Sequence, residues 1–130
     1  ANQTGFAAST KLAGWTVERD ALNEWLAGSN RLVLSHPGDY LVVLQAEYAD
    51  TGTNVDVTLQ ISRSGSLVAQ SRTRTSPTAN QIWCVTCSTI INTTIVGTYI
   101  EGFFLGTANT TVQGTIGTRL TVTRLPTAGN

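Results

Sequence analysis

The chain has 130 residues, enough for one domain with a hydrophobic core and too few for two. Charged residues make up only 12% of the sequence and cancel to a formal net charge of zero, which excludes a basic surface that would hold nucleic acid or an anionic membrane. Thr, Ser, Gly, Asn and Val are abundant, a composition typical of an all-β protein with many turns, and no apolar run approaches the roughly 18 residues of a membrane-spanning helix.

The N-terminal segment, residues 1–14, is polar and carries Lys11 as its only charge. Polar termini are usually mobile unless they are tied down, so we expect this segment to contain a first strand and to dock onto a partner, with Phe6 as its apolar anchor. Residues 15–125 are expected to form the main domain, and residues 126–130 a C-terminal tail. Ala1 is a residue type before which an initiator Met is removed, so we expect a nearly complete small protein without a secretory signal.

Residues 17–28, VERDALNEWLAG, allow two interpretations. Asp20 is a good helix N-cap and Gly28 a good C-terminal residue, which predicts a short helix between them. Alternatively, Trp15 and Trp25 flank a strand and a loop. The sequence leaves both interpretations open.

Period-two alternation of apolar and polar residues, punctuated by turns, predicts antiparallel strands along the rest of the chain. In residues 55–61 every second residue is Val, Leu or Ile, so one face is expected in the core and the other in water. Ser64-Gly65 predicts a hairpin turn after this strand. Further strands are predicted at 40–48, 66–74, 81–92, 97–107 and 117–125.

Two strands are apolar on both faces. Strand 40–48 has Leu41 and Val43 opposite its expected core face, and strand 99–105 has a similar second apolar face. An antiparallel strand of this kind must bury both faces, and the polar remainder of the chain offers no second layer. We therefore expect a partner subunit to cover the outward residues. The expected subunit interface consists of Leu41, Val43, Tyr99, Glu101, Phe103 and Leu105.

Glu101 is the exceptional member of this expected interface, because a buried carboxylate is costly unless it finds a donor. Arg119 or Arg124 on the last strand is the expected partner. The Tyr99 hydroxyl of a neighbouring subunit is the alternative.

Four stretches resemble the jelly-roll superfamily that includes tumour necrosis factor and the globular heads of complement component one, subcomponent q. The family's Pro-Gly-x-Tyr turn and the strand after it are similar to HPGDYLVVLQAEY, residues 36–48. Its valine-rich strand and hairpin are similar to VDVTLQISRSGSLV, residues 55–68. Its penultimate strand is similar to TIVGTYIEGFFLGTA, residues 94–108, and its closing strand to RLTVTRL, residues 119–125.

The resemblance implies an all-β, antiparallel jelly-roll β-sandwich that assembles as a homotrimer through one sheet. The sequence departs from the family at Ser64, where asparagine is usual, at Thr98, where an aspartate often follows the glycine, and at Val122, where glycine is common. The pattern is closer to the versions found as bacteriophage virion proteins. We therefore expect a non-enzymatic structural protein located in the virion, as a capsid decoration or at the head of a short fibre. The expected partners are two further copies of the chain and phage capsid or tail proteins, with no nucleic acid, membrane or cofactor.

Two alternative functions stay open. The same trimer could be a receptor-binding module of a phage tail that recognises a host-surface glycan or protein through its apical loops. The second is a retroviral-type aspartic protease, because Asp50-Thr51-Gly52 is followed by the apolar stretch at 94–97. That enzyme needs two carboxylates sharing a proton at a dry interface, whereas the residues around 50–54 are standard hairpin residues, so a turn is favoured.

Other reactive residue types do not form a site pattern. The oxygen ligands within 50–56 lack the geometry of a known calcium loop, and His36 has no nucleophile beside it. Cys84 and Cys87 lie in a predicted strand and lack further zinc ligands, so we expect structural thiols, with Cys87 on the buried side. No catalytic, cofactor-binding or metal-binding residue is therefore expected.

Overall fold

The computed structural model describes residues 2–15, 25–26, 29–52, 55–75, 81–114 and 117–126, which form ten β-strands and no α-helix. The prediction of an all-β chain is confirmed for these residues. No helix in them is long and apolar enough to cross a membrane. The strands are β1 (Thr10–Lys11), β2 (Trp25–Leu26), β3 (Arg31–Val33), β4 (Gly38–Ala49), β5 (Val55–Arg63), β6 (Ser66–Thr75), β7 (Trp83–Thr93), β8 (Tyr99–Leu105), β9 (Thr111–Val112) and β10 (Arg119–Arg124).

The strands form two antiparallel sheets. A six-stranded sheet has the order β2-β3-β8-β5-β6, with β1 pairing to one end of β8. A four-stranded sheet has the order β10-β4-β7, with β9 pairing to the far end of β4. From β3 onward the chain crosses repeatedly between the sheets, so that each sheet contains paired strands that are distant in sequence.

The core lies between the two sheets and contains apolar residues from both. The rings of Phe6 and Phe104 meet edge to face with their centroids 5.0 Å apart, and the centroid of the Tyr48 ring lies 5.6 Å from that of Phe104. The sheets approach closely at Gly102, where an added Cβ would lie 2.9 Å from a methyl carbon of Leu44. The glycine in the middle of β8 is thus required by sheet packing rather than by a turn.

Local predictions for the central strands are confirmed. The apolar positions of β5, Val55, Val57, Leu59 and Ile61, are all buried. Ser64-Gly65 forms the hairpin turn between β5 and β6, and both residues have the positive φ angles, 48° and 88°, that a two-residue hairpin favours.

The outward side of β5 is less exposed to solvent than predicted, because Thr58 and Ser62 are buried. β5 is a central strand between β8 and β6, so side chains of both neighbours flank its outward residues. Alternation in the sequence identifies the core side of a strand but not its position within a sheet.

The N-terminal segment is part of the fold, and Phe6 is a core residue rather than an exposed docking anchor. Its side chain is fully buried, and its carbonyl accepts a hydrogen bond from the Gly106 N–H at 2.8 Å. Gln3 and Val112 exchange two backbone hydrogen bonds of 2.9 Å. The expectation for Phe6 is therefore corrected, since the aromatic side chain fills the space next to Phe104.

The ambiguous stretch at 17–28 is described only at Trp25–Leu26, which forms β2 and pairs with β3. The predicted short helix otherwise lies outside the described residues, as does the tail at 127–130.

Candidate functional site

The two strands that are apolar on both faces lie in different sheets. β4 is the central strand of the four-stranded sheet, and β8 lies inside the six-stranded sheet. The outward sides of the two sheets point away from each other, so the six expected interface residues do not form one surface. Leu41 and Val43 lie on one side of the sandwich, and Tyr99, Glu101, Phe103 and Leu105 lie on the other.

We call the outward side of the four-stranded sheet the open face. At its centre Leu41 is paired with Ile90 across β4 and β7, and these side chains are 36% and 64% exposed. Val43 is the next outward residue of β4 and is paired with Ser88 and Thr121. Among the described residues, the Leu41 and Val43 rows carry aliphatic and hydroxyl side chains, while charged side chains begin in the next row on either side, at Asp39 on one side and at Arg119 and then Glu47 on the other.

We call the outward side of the six-stranded sheet the covered face. Tyr99, Phe103 and Leu105 are all partly buried there within the single chain. The Arg31 guanidinium carbon lies 4.0 Å from the centroid of the Tyr99 ring, and Lys11 is the cross-strand neighbour of Phe103. Long cationic side chains of the same chain thus supply part of the layer for which the sequence predicted a partner subunit.

Glu101 is buried beneath those cations, with 6% of its surface exposed. Lys11 Nζ lies 2.9 Å and Arg31 Nη2 3.4 Å from its carboxylate. The predicted partners Arg119 and Arg124 are wrong, because both lie on β10 in the other sheet. No local signal identified Lys11, since the partner is 90 residues away in the chain.

A second charged group on the covered face joins β5 and β6. Arg74 Nε and Nη2 donate to the two Asp56 carboxylate oxygens at 2.9 and 3.0 Å, and Arg72 Nη2 lies 3.4 Å away. The Arg74 hydrogen bond is the main reason that the pKa of Asp56 lies below its usual value. Sequence reasoning missed this group, although the alternation of Arg72 and Arg74 in a strand already places both on one face.

A depression beside this group occupies about 400 Å³. Its polar wall comes from β5 and β6, and its apolar part comes from Leu105. The lining residues are Asp56, Thr58, Gln60, Gln70, Arg72, Leu105 and Gly106.

The Asp50-Thr51-Gly52 motif follows the end of β4 and bends the chain, and its aspartate is buried, with 3% of its surface exposed. Its carboxylate accepts hydrogen bonds from Thr107 Oγ1 at 2.5 Å, Thr110 Oγ1 at 2.6 Å and the Gly52 N–H at 2.7 Å. Burial raises the pKa of Asp50, but these three donors outweigh burial and hold the pKa below its usual value. The apolar stretch at 94–97 follows the end of β7 that pairs with Gly38, so it lies at the opposite end of β4 from Asp50.

The remaining reactive side chains stand apart from one another. His36 is exposed, with its Nδ1 2.9 Å from Ser35 Oγ. Cys84 is exposed and Cys87 buried, as predicted, and burial raises the pKa of the Cys87 thiol. Within the described ranges, no group of three or more His, Cys, Asp or Glu side chains could hold a metal ion.

Comparison with known proteins adds no assignment to this geometry. A scan against models of protein families finds no match, and a search of curated proteins finds no similar sequence.

Proposed function

We propose that this chain is a non-enzymatic structural protein of a bacteriophage particle, where it forms a homotrimeric jelly roll on the capsid or at the head of a short fibre. The resemblance of residues 36–48, 55–68, 94–108 and 119–125 to that superfamily supports the proposal. So does the chain path, because two antiparallel sheets between which the chain crosses repeatedly are expected of a jelly roll.

The observation that carries the proposal is the uncharged centre of the open face. Three aliphatic side chains, Leu41, Val43 and Ile90, lie together among serine and threonine hydroxyls. Contiguous exposed apolar surface rimmed by polar residues is typical of protein interfaces. In a cyclic homotrimer, a patch that faces the threefold axis is buried in every subunit.

The open face suits assembly better than the covered face. On the covered face, subunit contact would have to desolvate the partly exposed Lys11 and Arg31 as well as apolar surface. At the centre of the open face, subunit contact removes water mainly from aliphatic side chains, whose burial is favourable. The homotrimer is therefore proposed through Leu41, Val43 and Ile90.

Docking onto the particle needs exposed apolar residues, and the loop between β7 and β8 offers them. Ile95 and Val96 are 70% and 63% exposed at its tip. Hydrogen bonds of Thr93 and Thr98 order the loop. Their hydroxyl oxygens lie 2.8 Å from each other, and each lies 3.0 Å from the Ile95 carbonyl oxygen. A braced loop loses little conformational entropy on binding, which favours Ile95 and Val96 over Phe6 as the docking residues.

The proposal is tested on particles purified by density gradient from a host that carries the gene. The chain should co-purify with the particles, and the double variant Ile95→Ser/Val96→Ser should stay in the soluble fraction with an unchanged melting temperature. Leu67→Ser is the matched control, because Leu67 is 53% exposed in β6 and lies outside the loop. Particles that lack the wild-type chain while the lysate contains it would contradict a role in the virion.

The same loop favours a receptor-binding module of a phage tail as the second candidate. If the loop contacts the host surface, the purified wild-type chain should bind host cells and the Ile95→Ser/Val96→Ser chain should not. Binding to cells in the absence of particles would favour this candidate over capsid decoration.

A further inference from the structure

The depression on the covered face combines a row of polar side chains with an apolar contact. Its volume is about 400 Å³, which leaves room for a small molecule lying against the sheet. Antiparallel pairing of β5 with β6 sets Asp56 beside Arg74, Thr58 beside Arg72 and Gln60 beside Gln70. These cross-strand pairs follow one another about 7 Å apart along the strands, because outward residues recur at every second position.

Contacts within the chain orient Asp56 and Gln60 before any ligand arrives. Arg74 holds both Asp56 oxygens, and Ser9 Oγ donates to Gln60 Oε1 at 2.8 Å. The second hydrogen bond of the Gln60 amide leads from its Nε2 to Gln70 Oε1 at 3.4 Å. Polar groups that are already ordered cost less conformational entropy when a ligand binds.

The donors and acceptors in this row are mixed. Asp56 accepts, Arg72 donates, and the amides of Gln60 and Gln70 do both. Sugar hydroxyls also donate and accept, and a sugar ring presents C–H groups that can pack on Leu105. We propose that the depression binds a saccharide, whose hydroxyls pair with the polar row while its C–H surface packs against Leu105.

The charge of the site favours a saccharide over a free anion such as phosphate. The Asp56 carboxylate already pairs with the guanidinium groups of Arg72 and Arg74, which compensates part of their positive charge. A phosphate would also approach the carboxylate, and like charges repel. A polyol is not subject to this repulsion and can use the carboxylate as an acceptor.

This inference does not rest on the proposed homotrimer. The depression lies on the covered face and the proposed subunit interface on the open face, so either can fail without the other. Saccharide binding would also be compatible with either location of the protein in a virion.

The test is a titration of the full ¹⁵N-labelled chain, followed by backbone amide chemical shifts. The probes are the methyl glycosides of glucose, galactose, mannose, rhamnose and N-acetylglucosamine, together with inorganic phosphate, and a glycan array covers longer saccharides. At least one saccharide should shift the amides of residues 56–60, 70–72 and 105–106 in a saturable manner. If no saccharide in the titration or on the array binds, the inference is wrong.

Gln70→Ala should weaken binding of that saccharide about threefold to tenfold, the loss expected for one or two neutral hydrogen bonds. Gln113→Ala is the matched control, since Gln113 follows β9 in the other sheet, and it should bind like the wild type. Both variants should keep the wild-type melting temperature. Unchanged binding by Gln70→Ala would overturn the inference, as would phosphate shifting the same amides more strongly than every saccharide.

Discussion

On the covered face, the Tyr99 ring of β8 lies beneath Arg31, and Phe103 has Lys11 as its cross-strand neighbour. On the open face, Leu41 and Ile90 have no such cationic side chain beside them among the described residues of their rows. Similar apolar patterns in β4 and β8 thus lead to different surfaces. An apolar outward face indicates that other residues must shield it from water. Whether the same chain supplies those residues depends on which distant strands pair with one another.

Phe6→Ala should have the largest effect on stability, because it tests whether the N-terminal segment belongs to the core behind the covered face. Removing a fully buried aromatic side chain that packs against Phe104 should lower the free energy of unfolding by about 3–5 kcal/mol. Urea unfolding measures the loss, with exposed Ala7→Ser as the control. A loss below about 1 kcal/mol would mean that the segment docks elsewhere.

Asp50→Asn should lower the free energy of unfolding by about 1–3 kcal/mol at neutral pH. An asparagine amide has one accepting oxygen where the carboxylate has two, so buried donors around residue 50 lose an acceptor. Both sheets are affected, because Asp50 follows β4 while Thr107 and Thr110 follow β8. Urea unfolding at pH 7 measures the loss, and exposed Asp39→Asn is the control.

The pH dependence of Asp50 gives a second readout with a defined sign. The folded pKa lies below the unfolded value of about 3.9, so the ionised carboxylate stabilises the fold above that pH. This contribution is lost as the pH falls through the lower folded pKa. Asp50→Asn should therefore lose less stability than the wild type between neutral and acidic pH. Identical acid profiles would contradict the assignment.

Lys11→Met and Arg72→Met compare a buried ion pair with an exposed one on the covered face. Lys11→Met leaves the buried Glu101 with Arg31 alone and should cost about 1–2 kcal/mol, below the full cost of breaking a buried pair because Lys11 is partly exposed. Arg72→Met should stay within about 0.5 kcal/mol, since that pair is exposed and Asp56 keeps Arg74. Equal losses in thermal melts would mean that Glu101 is not the charge that holds this face together.

Cys87→Ser and Cys84→Ser compare the two sides of β7, with the smallest effects. Cys87 lies in the core, where a serine hydroxyl must be desolvated, so its replacement should cost about 1–2 kcal/mol. Cys84 is exposed, and its replacement should stay within about 0.5 kcal/mol. The reverse order in a thermal melt would mean that β7 faces the other way.

Features that depend on neighbours in sequence could be predicted, and features that depend on distant pairing could not. The buried face of β5, the Ser64-Gly65 turn and the burial of Cys87 follow from alternation and turn chemistry. The ion pair of Lys11 with Glu101 joins residues 90 apart. The placement of β4 and β8 in opposite sheets could not be predicted for the same reason. The alternation of residues within a strand does not identify the strand with which it pairs.

Assembly through the open face is tested most directly by the solution mass of three proteins, measured by light scattering after size-exclusion chromatography. The wild type should have three times the chain mass of 13.8 kDa. Ile90→Asp should have the mass of one chain, because a charged carboxylate would have to lose its water at the centre of the open face. Leu67→Asp, an equivalent exposed position on β6, should remain a trimer. A wild-type monomer, or an Ile90→Asp chain that stays trimeric, would contradict assembly through this face.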